Sequence, residues 1–244
     1  MLIRIVRSAL RLVGFVFVAG GWILRFVPGG YGRSYRGRTE WSIGCSRSLL
    51  RLFGFEWTVE GAHPGRGIVV ANHLGYMDIV LFAAIGPTVF VSKSEVGGWP
   101  GIGTLARFSG TIFLNRARKS DLARAAEKMG EVIADGVPVL FFPEGTSTGG
   151  DRILPFHAGL FEPAASHGWT VTPAWIGYEL EDGVVSEEVC YWRDMTFFPH
   201  FLNLLTYRRV RAHIRFGQPL APETDRKALA AAAHSAVTRL AHAR

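Results

Sequence analysis

His73 and Asp78 are the residues of this chain best placed by type and spacing to do chemistry. Four residues separate them in the run Val69-Val70-Ala71-Asn72-His73-Leu74-Gly75-Tyr76-Met77-Asp78. An imidazole at the end of an apolar run can take a proton from a weak nucleophile such as a hydroxyl. A carboxylate close behind can hold the ring in one tautomer and stabilise the imidazolium that forms. No serine or cysteine beside the pair has a recognisable nucleophile setting, so the simplest chemistry is one in which the substrate brings the nucleophile. Spacing alone also fits a hydrogen-bonded loop histidine followed by a first-turn aspartate favoured by a helix dipole.

The pair needs a frame, and the apolar runs supply one. Trp57–Glu60, Ile68–Ala71, Thr88–Val91, Thr111–Leu114, Val137–Phe142 and Thr170–Tyr178 read as short strands. Val210, Ala212, Ile214 and Phe216 alternate with polar residues, the pattern of a half-exposed strand. Between them, Met77–Ile85 reads as an apolar helix. A stripe of Leu122, Ala126, Met129 and Ile133 reads as another, capped by Ser120 and closed by Gly136. Ala158–Ser166 is expected to be helical with a break near Pro163, and Asp225–His242 to be a terminal helix. Pro173 implies an edge strand or a bulge. Strands alternating with helices predict an α/β fold with a largely parallel central sheet flanked by helices. Ligands gather beyond the carboxyl ends of such strands. His73, Lys93, Arg116 and Glu144 each follow a strand there, more function-capable residues than structure alone requires.

Bulk properties add a second theme. Of the 244 residues 48% are hydrophobic, a high share for a soluble enzyme, and the net charge is +7. Residues 1–55 hold nine arginines against one glutamate, hence +8, so residues 56–244 carry −1. The chain divides accordingly into a basic, apolar segment, 1–55, and a near-neutral body, 56–244. Nucleic acid is not the expected partner, because the arginines bracket apolar residues. Leu12–Leu24 is a 13-residue run without charge, about 20 Å as a helix, against a hydrocarbon core of about 30 Å. A membrane-associated helical arm lying in the interface is expected, with its arginines at the headgroups and Ile43–Phe55 as its second half. A signal peptide is the rival reading, supported by Ala19-Gly20 and opposed by the arginines within the segment. The two cysteines, Cys45 and Cys190, make neither a disulfide framework nor a metal spacing.

Four blocks in order resemble the glycerolipid acyltransferase family typified by lysophosphatidic acid acyltransferase (1-acylglycerol-3-phosphate O-acyltransferase). They are Asn72–Asp78, Gly110–Arg116, Phe142–Ser147 and Val171–Ala174, with Lys93 where members carry a lysine between the first two. The resemblance covers roughly residues 56–220. It implies a glycerol-3-phosphate acyltransferase-like fold, often preceded by membrane-embedded helices, on the cytoplasmic face of the cell inner membrane as a monotopic protein. It implies acyl transfer from an acyl carrier protein or coenzyme A thioester to a lysolipid hydroxyl, with no metal and no resident cofactor. His73 would be the base and Asp78 its support. Lys93 and Arg116 would hold the anionic headgroup, and Glu144 would pin that arginine or meet acceptor hydroxyls. Backbone N–H groups around Gly145 and Thr146 would receive the oxyanion. The chain departs from the family at Ser147 and His157, where many members carry arginine and lysine. The stretch Tyr191–His200 resembles a bacterial subgroup that includes acyltransferases of lyso-ornithine lipid. Lysophosphatidic acid ranks first as acceptor on the arginine-bearing second block, with lyso-ornithine lipid close behind. A lipid-binding protein that kept the fold and lost turnover is the alternative from another class.

Overall fold

The computed structural model describes residues 2–99, 101–115 and 119–243, the side chains of residues 119 and 120 excepted. Two long helices, α1 (Leu2–Phe26) and α2 (Tyr35–Phe53), open the chain. They are followed by β1 (Phe55–Glu60), β2 (Ile68–Ala71), α3 (Tyr76–Ile85), β3 (Val89–Lys93), α4 (Ile102–Phe108) and β4 (Ile112–Leu114). Next come α5 (Lys119–Ala134), β5 (Val139–Phe141), α6 (Glu162–His167) and β6 (Val171–Leu180). The chain ends with α7 (Val185–Glu188), α8 (Phe197–Leu204), β7 (Val210–Phe216) and α9 (Arg226–His242). The strands form one sheet in the order β1-β7-β6-β2-β5-β3-β4. Only β6 against β7 is antiparallel among the described pairings. The expected largely parallel α/β sheet is what the chain forms.

Strand alternation sorts the core into two layers. Val69 and Ala71 of β2, Leu140 of β5, and Ala174 and Ile176 of β6 face the side covered by α2, α3 and α8. Ile68, Val70, Val139, Phe141 and Val171 face the side covered by α5, α6 and α9. β2 is therefore buried at every residue, as a central strand covered on both faces should be.

Several elements differ from expectation for identifiable reasons. Pro173 lies in an interior strand, paired with Val70 of β2. Its carbonyl accepts from Gly217 N at 2.8 Å, so its nitrogen also points to the β7 side, where the β7 ladder has already ended at Phe216 opposite Ala174. The proline therefore costs only the last bond at that end of the ladder. Pro163 falls in the first turn of α6, where a missing N–H costs nothing, and a 3-10 turn at Ala158–Phe161 precedes it. α5 begins at Lys119, so Ser120, expected as its cap, is already helical.

The N-terminal helices share the core of the body. They run antiparallel, with Gly14 against Leu52 and Gly44 against the Trp22 ring, where a methyl group would collide. Trp41, Leu50 and Phe53 of α2 are buried in the layer that covers α3, each contributing about 1.5–3 kcal/mol of burial. The arginines expected at lipid headgroups are in part turned inward, onto helix C-termini. Arg7 and Arg11 donate to the carbonyls of Thr206 (2.7 Å) and Leu205 (3.1 Å) at the end of α8. Arg38 donates to Arg107 O (3.1 Å) in α4, and Arg47 to Ala84 O (2.7 Å) in α3. Guanidinium groups there satisfy last-turn carbonyls and complement the dipole. Among the described residues no helix is long and apolar enough to cross a membrane.

Candidate active site

The loop between β2 and α3 carries the central pair, and its path is fixed before His73 is reached. The Asn72 amide bonds both the N–H and the C=O of Ile176, each at 2.9 Å. The side chain thereby extends the β2–β6 pairing by one step with a strand-like pair of bonds. His73 follows, with its carbonyl accepting from Thr148 N at 2.9 Å. α3 then starts at Tyr76, which places Asp78 in its first turn, where backbone N–H groups and the dipole favour an anion.

Asp78 is fully buried, and each of its oxygens is committed. Oδ2 accepts from His73 Nδ1 at 2.7 Å, Leu74 N at 2.6 Å and Gly75 N at 3.0 Å. Oδ1 accepts from the Tyr178 hydroxyl at 2.6 Å. The His73 side chain is 21% exposed. Its ring lies face to face on Phe142, with centroids 4.0 Å apart and planes 13° from parallel. An ionised Asp78 accepting from Nδ1–H leaves Nε2 as the nitrogen with a free lone pair.

Glu144 sits on the loop after β5 and is 2% exposed. Its Oε1 accepts from His73 N and its Oε2 from Leu154 N, both at 2.7 Å. Burial pushes this carboxyl above its ordinary range, while the two backbone donors pull the other way. Each oxygen thus binds backbone, tying the His73 loop to the 143–154 loop. The same loop turns at Gly145, whose φ of 76° suits glycine. Gly145 N donates to Phe142 O at 3.2 Å, so of the two expected oxyanion donors its N–H is already engaged. Tyr191 braces the site from the third side: its N–H donates to Leu74 O at 2.8 Å, and its carbonyl accepts from the Ser147 hydroxyl.

A cavity of about 560 Å³ opens beside this pair, within the usual range for ligand pockets of roughly 300–1,000 Å³. His73, Gly145 and Thr146 line its polar end; Phe15 of α1, Leu49 of α2 and Phe201 of α8 line its apolar part. Lys93 also lines it and is the only lysine or arginine among the described lining residues. Arg116 lies outside the described residues. Cys45 reaches the cavity wall, but burial pushes its thiol, and that of Cys190, up to about 12. Neither is a thiolate nucleophile at neutral pH. Among the described residues no group of three or more His, Cys, Asp and Glu side chains converges as a metal site would require.

The structure therefore brings His73, Gly145, Thr146 and Lys93 to one cavity, with Asp78 and Glu144 buried behind His73. It adds residues that the sequence did not mark. Tyr178 was hidden because a tyrosine alternating with Ala174 and Ile176 looks like core. His200 is buried on α8 with Nδ1 at 2.9 Å from the Tyr76 hydroxyl. Its signal was the aromatic stretch Tyr191–Phe201, which turns out to wall the cavity.

This arrangement can abstract a proton from a hydroxyl at the mouth of an apolar cavity, and known proteins point to the same chemistry. Residues 57–177 match the model of the family described as Acyltransferase. The lyso-ornithine lipid O-acyltransferase of Rhodobacter capsulatus is 38% identical over 199 residues, covering 78% of this chain and 72% of that one. The 1-acyl-sn-glycerol-3-phosphate acyltransferase of Neisseria gonorrhoeae is 31% identical over 197 residues, covering 77% and 76%. Among solved structures, the 1-acyl-sn-glycerophosphate (LPA) acyltransferase PlsC of Thermotoga maritima superposes with a TM-score of 0.67 at 25% identity, over 99% of this chain and 98% of that one. The chain belongs to the acyltransferase family and is an enzyme of acyl transfer.

Proposed function

We propose that the enzyme transfers a fatty acyl group from an acyl carrier protein or coenzyme A thioester to the free hydroxyl of lyso-ornithine lipid. His73 Nε2 takes the hydroxyl proton as the oxygen attacks the thioester carbonyl. Asp78 stabilises the imidazolium. The tetrahedral oxyanion is met by backbone N–H donors of the 145–147 turn, Thr146 in place of the engaged Gly145. Collapse breaks the carbon–sulfur bond, and the leaving thiolate takes the proton from His73, giving the ester and a free thiol.

The observation that carries the choice of acceptor is the position of the stretch Tyr191–His200. Its resemblance to the lyso-ornithine subgroup falls on residues that bond the His73 loop and wall the cavity. Ser147, where many members carry arginine, ties its hydroxyl to the same stretch. Lysophosphatidic acid is the second reading, favoured by Lys93 on the cavity wall and by the second sequence block.

The reaction is proposed to take place at the cytoplasmic face of the inner membrane. α1 presents Ile3, Leu10, Val13, Phe17 and Leu24 outward, all exposed, at spacings that keep them near one helix face. That stripe would lie in the bilayer interface, with the cavity beside it.

The test is an acceptor panel. Purified protein in phosphatidylethanolamine/phosphatidylglycerol vesicles receives one labelled acyl thioester with lyso-ornithine lipid, lysophosphatidic acid or lysophosphatidylethanolamine. A kcat/KM at least about tenfold higher for lyso-ornithine lipid is expected, the discrimination worth roughly 1.4 kcal/mol. A preference of that size for lysophosphatidic acid reverses the acceptor reading. Transfer to none of them favours a non-catalytic lipid-binding protein.

A further inference from the structure

We propose that Tyr178 is a positioning residue for acyl transfer, holding Asp78 by its outer carboxylate oxygen and setting how strongly that carboxylate supports His73. The inference rests on the reading of His73 as base.

The geometry is specific. Tyr178 comes from β6, a hundred residues beyond Asp78, and its hydroxyl reaches Oδ1 at 2.6 Å. Oδ2 is already shared by His73 and two backbone amides. Without the phenol, Oδ1 of a fully buried carboxylate would lose its one side-chain donor, and rotation about χ2 would no longer be fixed from that side. The phenol enters by strand alternation: Ala174, Ile176 and Tyr178 point to the face that α3 covers. The Phe55 ring packs edge-on against it with centroids 6.4 Å apart. Burial and the neighbouring carboxylate hold the phenol well above its ordinary range, so it stays protonated and donates. A donor on Oδ1 draws charge from the carboxylate, which lowers its affinity for a proton and its pull on the imidazolium. The other titratable groups around the pair are Glu144 on the loop after β5, Tyr76 at the start of α3 and Cys190 between α7 and α8. None of them is itself replaced in the Tyr178 variants.

Tyr178→Phe removes one hydroxyl and keeps the ring. At the pH optimum kcat should fall about tenfold, the loss expected for a hydrogen bond to a charged group, with KM for both substrates within about twofold. The acid limb of the pH–rate profile should move up by about one unit, because the carboxylate and the imidazolium both hold their protons more tightly. Tyr178→3-fluorotyrosine keeps the hydroxyl and strengthens the donor, so it should move the limb the other way. A folded Tyr178→Phe protein with an unmoved limb overturns the inference. If that variant does not fold, an unmoved limb in the fluorotyrosine protein overturns it instead. His73→Ala in the same assay separates the two readings. An active His73→Ala protein removes the base itself, whereas an inactive one beside an unmoved Tyr178 limb removes only the role of Tyr178.

Discussion

At the scale of single residues, the site is built by buried carboxylates that bind backbone. Asp78 gathers two N–H groups of its own loop together with the His73 ring, and Glu144 fastens the His73 amide to a loop eighty residues further on. Glu144 therefore acts on the position of the proposed base from behind. Glu144→Gln supplies one acceptor where two are needed and sets an NH₂ group against a backbone N–H. The expected cost is about 1–3 kcal/mol, a fall in melting temperature of roughly 2–10 °C for a domain of this size, with a lower kcat. An unchanged melting temperature in thermal unfolding would show that the two bonds contribute nothing. The sequence exposed His73, Asp78 and Glu144, because acidic and imidazole side chains after apolar strands stand out. It did not expose that Glu144 faces backbone, since a carboxylate at a strand end looks the same whether it meets an amide, an arginine or a substrate.

At the scale of elements, strands were legible and helix ends less so. Ile68–Ala71 is a strand over the residues its apolar run marks, because a run buried on both faces has no polar residue to blur it. α1 extends over 25 residues, where the uncharged run marks only 13. Arg4, Arg7 and Arg11 interrupt the apolar pattern without interrupting the helix, since Arg7 and Arg11 reach carbonyls at the end of α8. α8 is also pinned to α3 through the His200–Tyr76 bond. Burial lowers the His200 pKa, so the folded state prefers the neutral ring. The stability it confers is present above the unfolded histidine value of about 6.5 and is lost as the pH falls from there through the lowered folded value. The melting-temperature advantage of the wild type over His200→Gln should accordingly shrink as the pH is lowered below about 6.5. A difference that stays constant from pH 8 to pH 5 would contradict that assignment. His63, lowered by burial in the same direction, is present in both proteins and cancels.

At the scale of the whole molecule, the N-terminal helices do two jobs with opposite faces. The inner faces complete the core and the cavity wall through residues such as Trp41, Leu49 and Phe15. The outer face of α1 leaves Phe17 75% and Leu24 77% exposed, which is a poor surface for water and a good one for a bilayer. Composition revealed the basic, apolar character of residues 1–55. It did not reveal that α2 belongs to the core of the body, because a stripe that packs on protein and one that packs on lipid have the same residue types. The Phe17→Asp/Leu24→Asp protein should keep its melting temperature and lose at least about a hundredfold in partition to phosphatidylethanolamine/phosphatidylglycerol vesicles, the loss of two side chains worth about 1.5–3 kcal/mol each. Undiminished sedimentation with vesicles would remove the outer face of α1 as the membrane contact.

The central claim is that His73 is the base for acyl transfer, and it is tested most directly by His73→Ala assayed with a labelled acyl thioester and lysolipid on vesicles. Removal of a general base held by a carboxylate should lower kcat by about 10²–10⁴-fold in a protein that is still folded and vesicle-bound, because the ring lies on the cavity wall rather than in the core layers. A folded, vesicle-bound His73→Ala protein that keeps more than about a tenth of wild-type turnover would contradict the account.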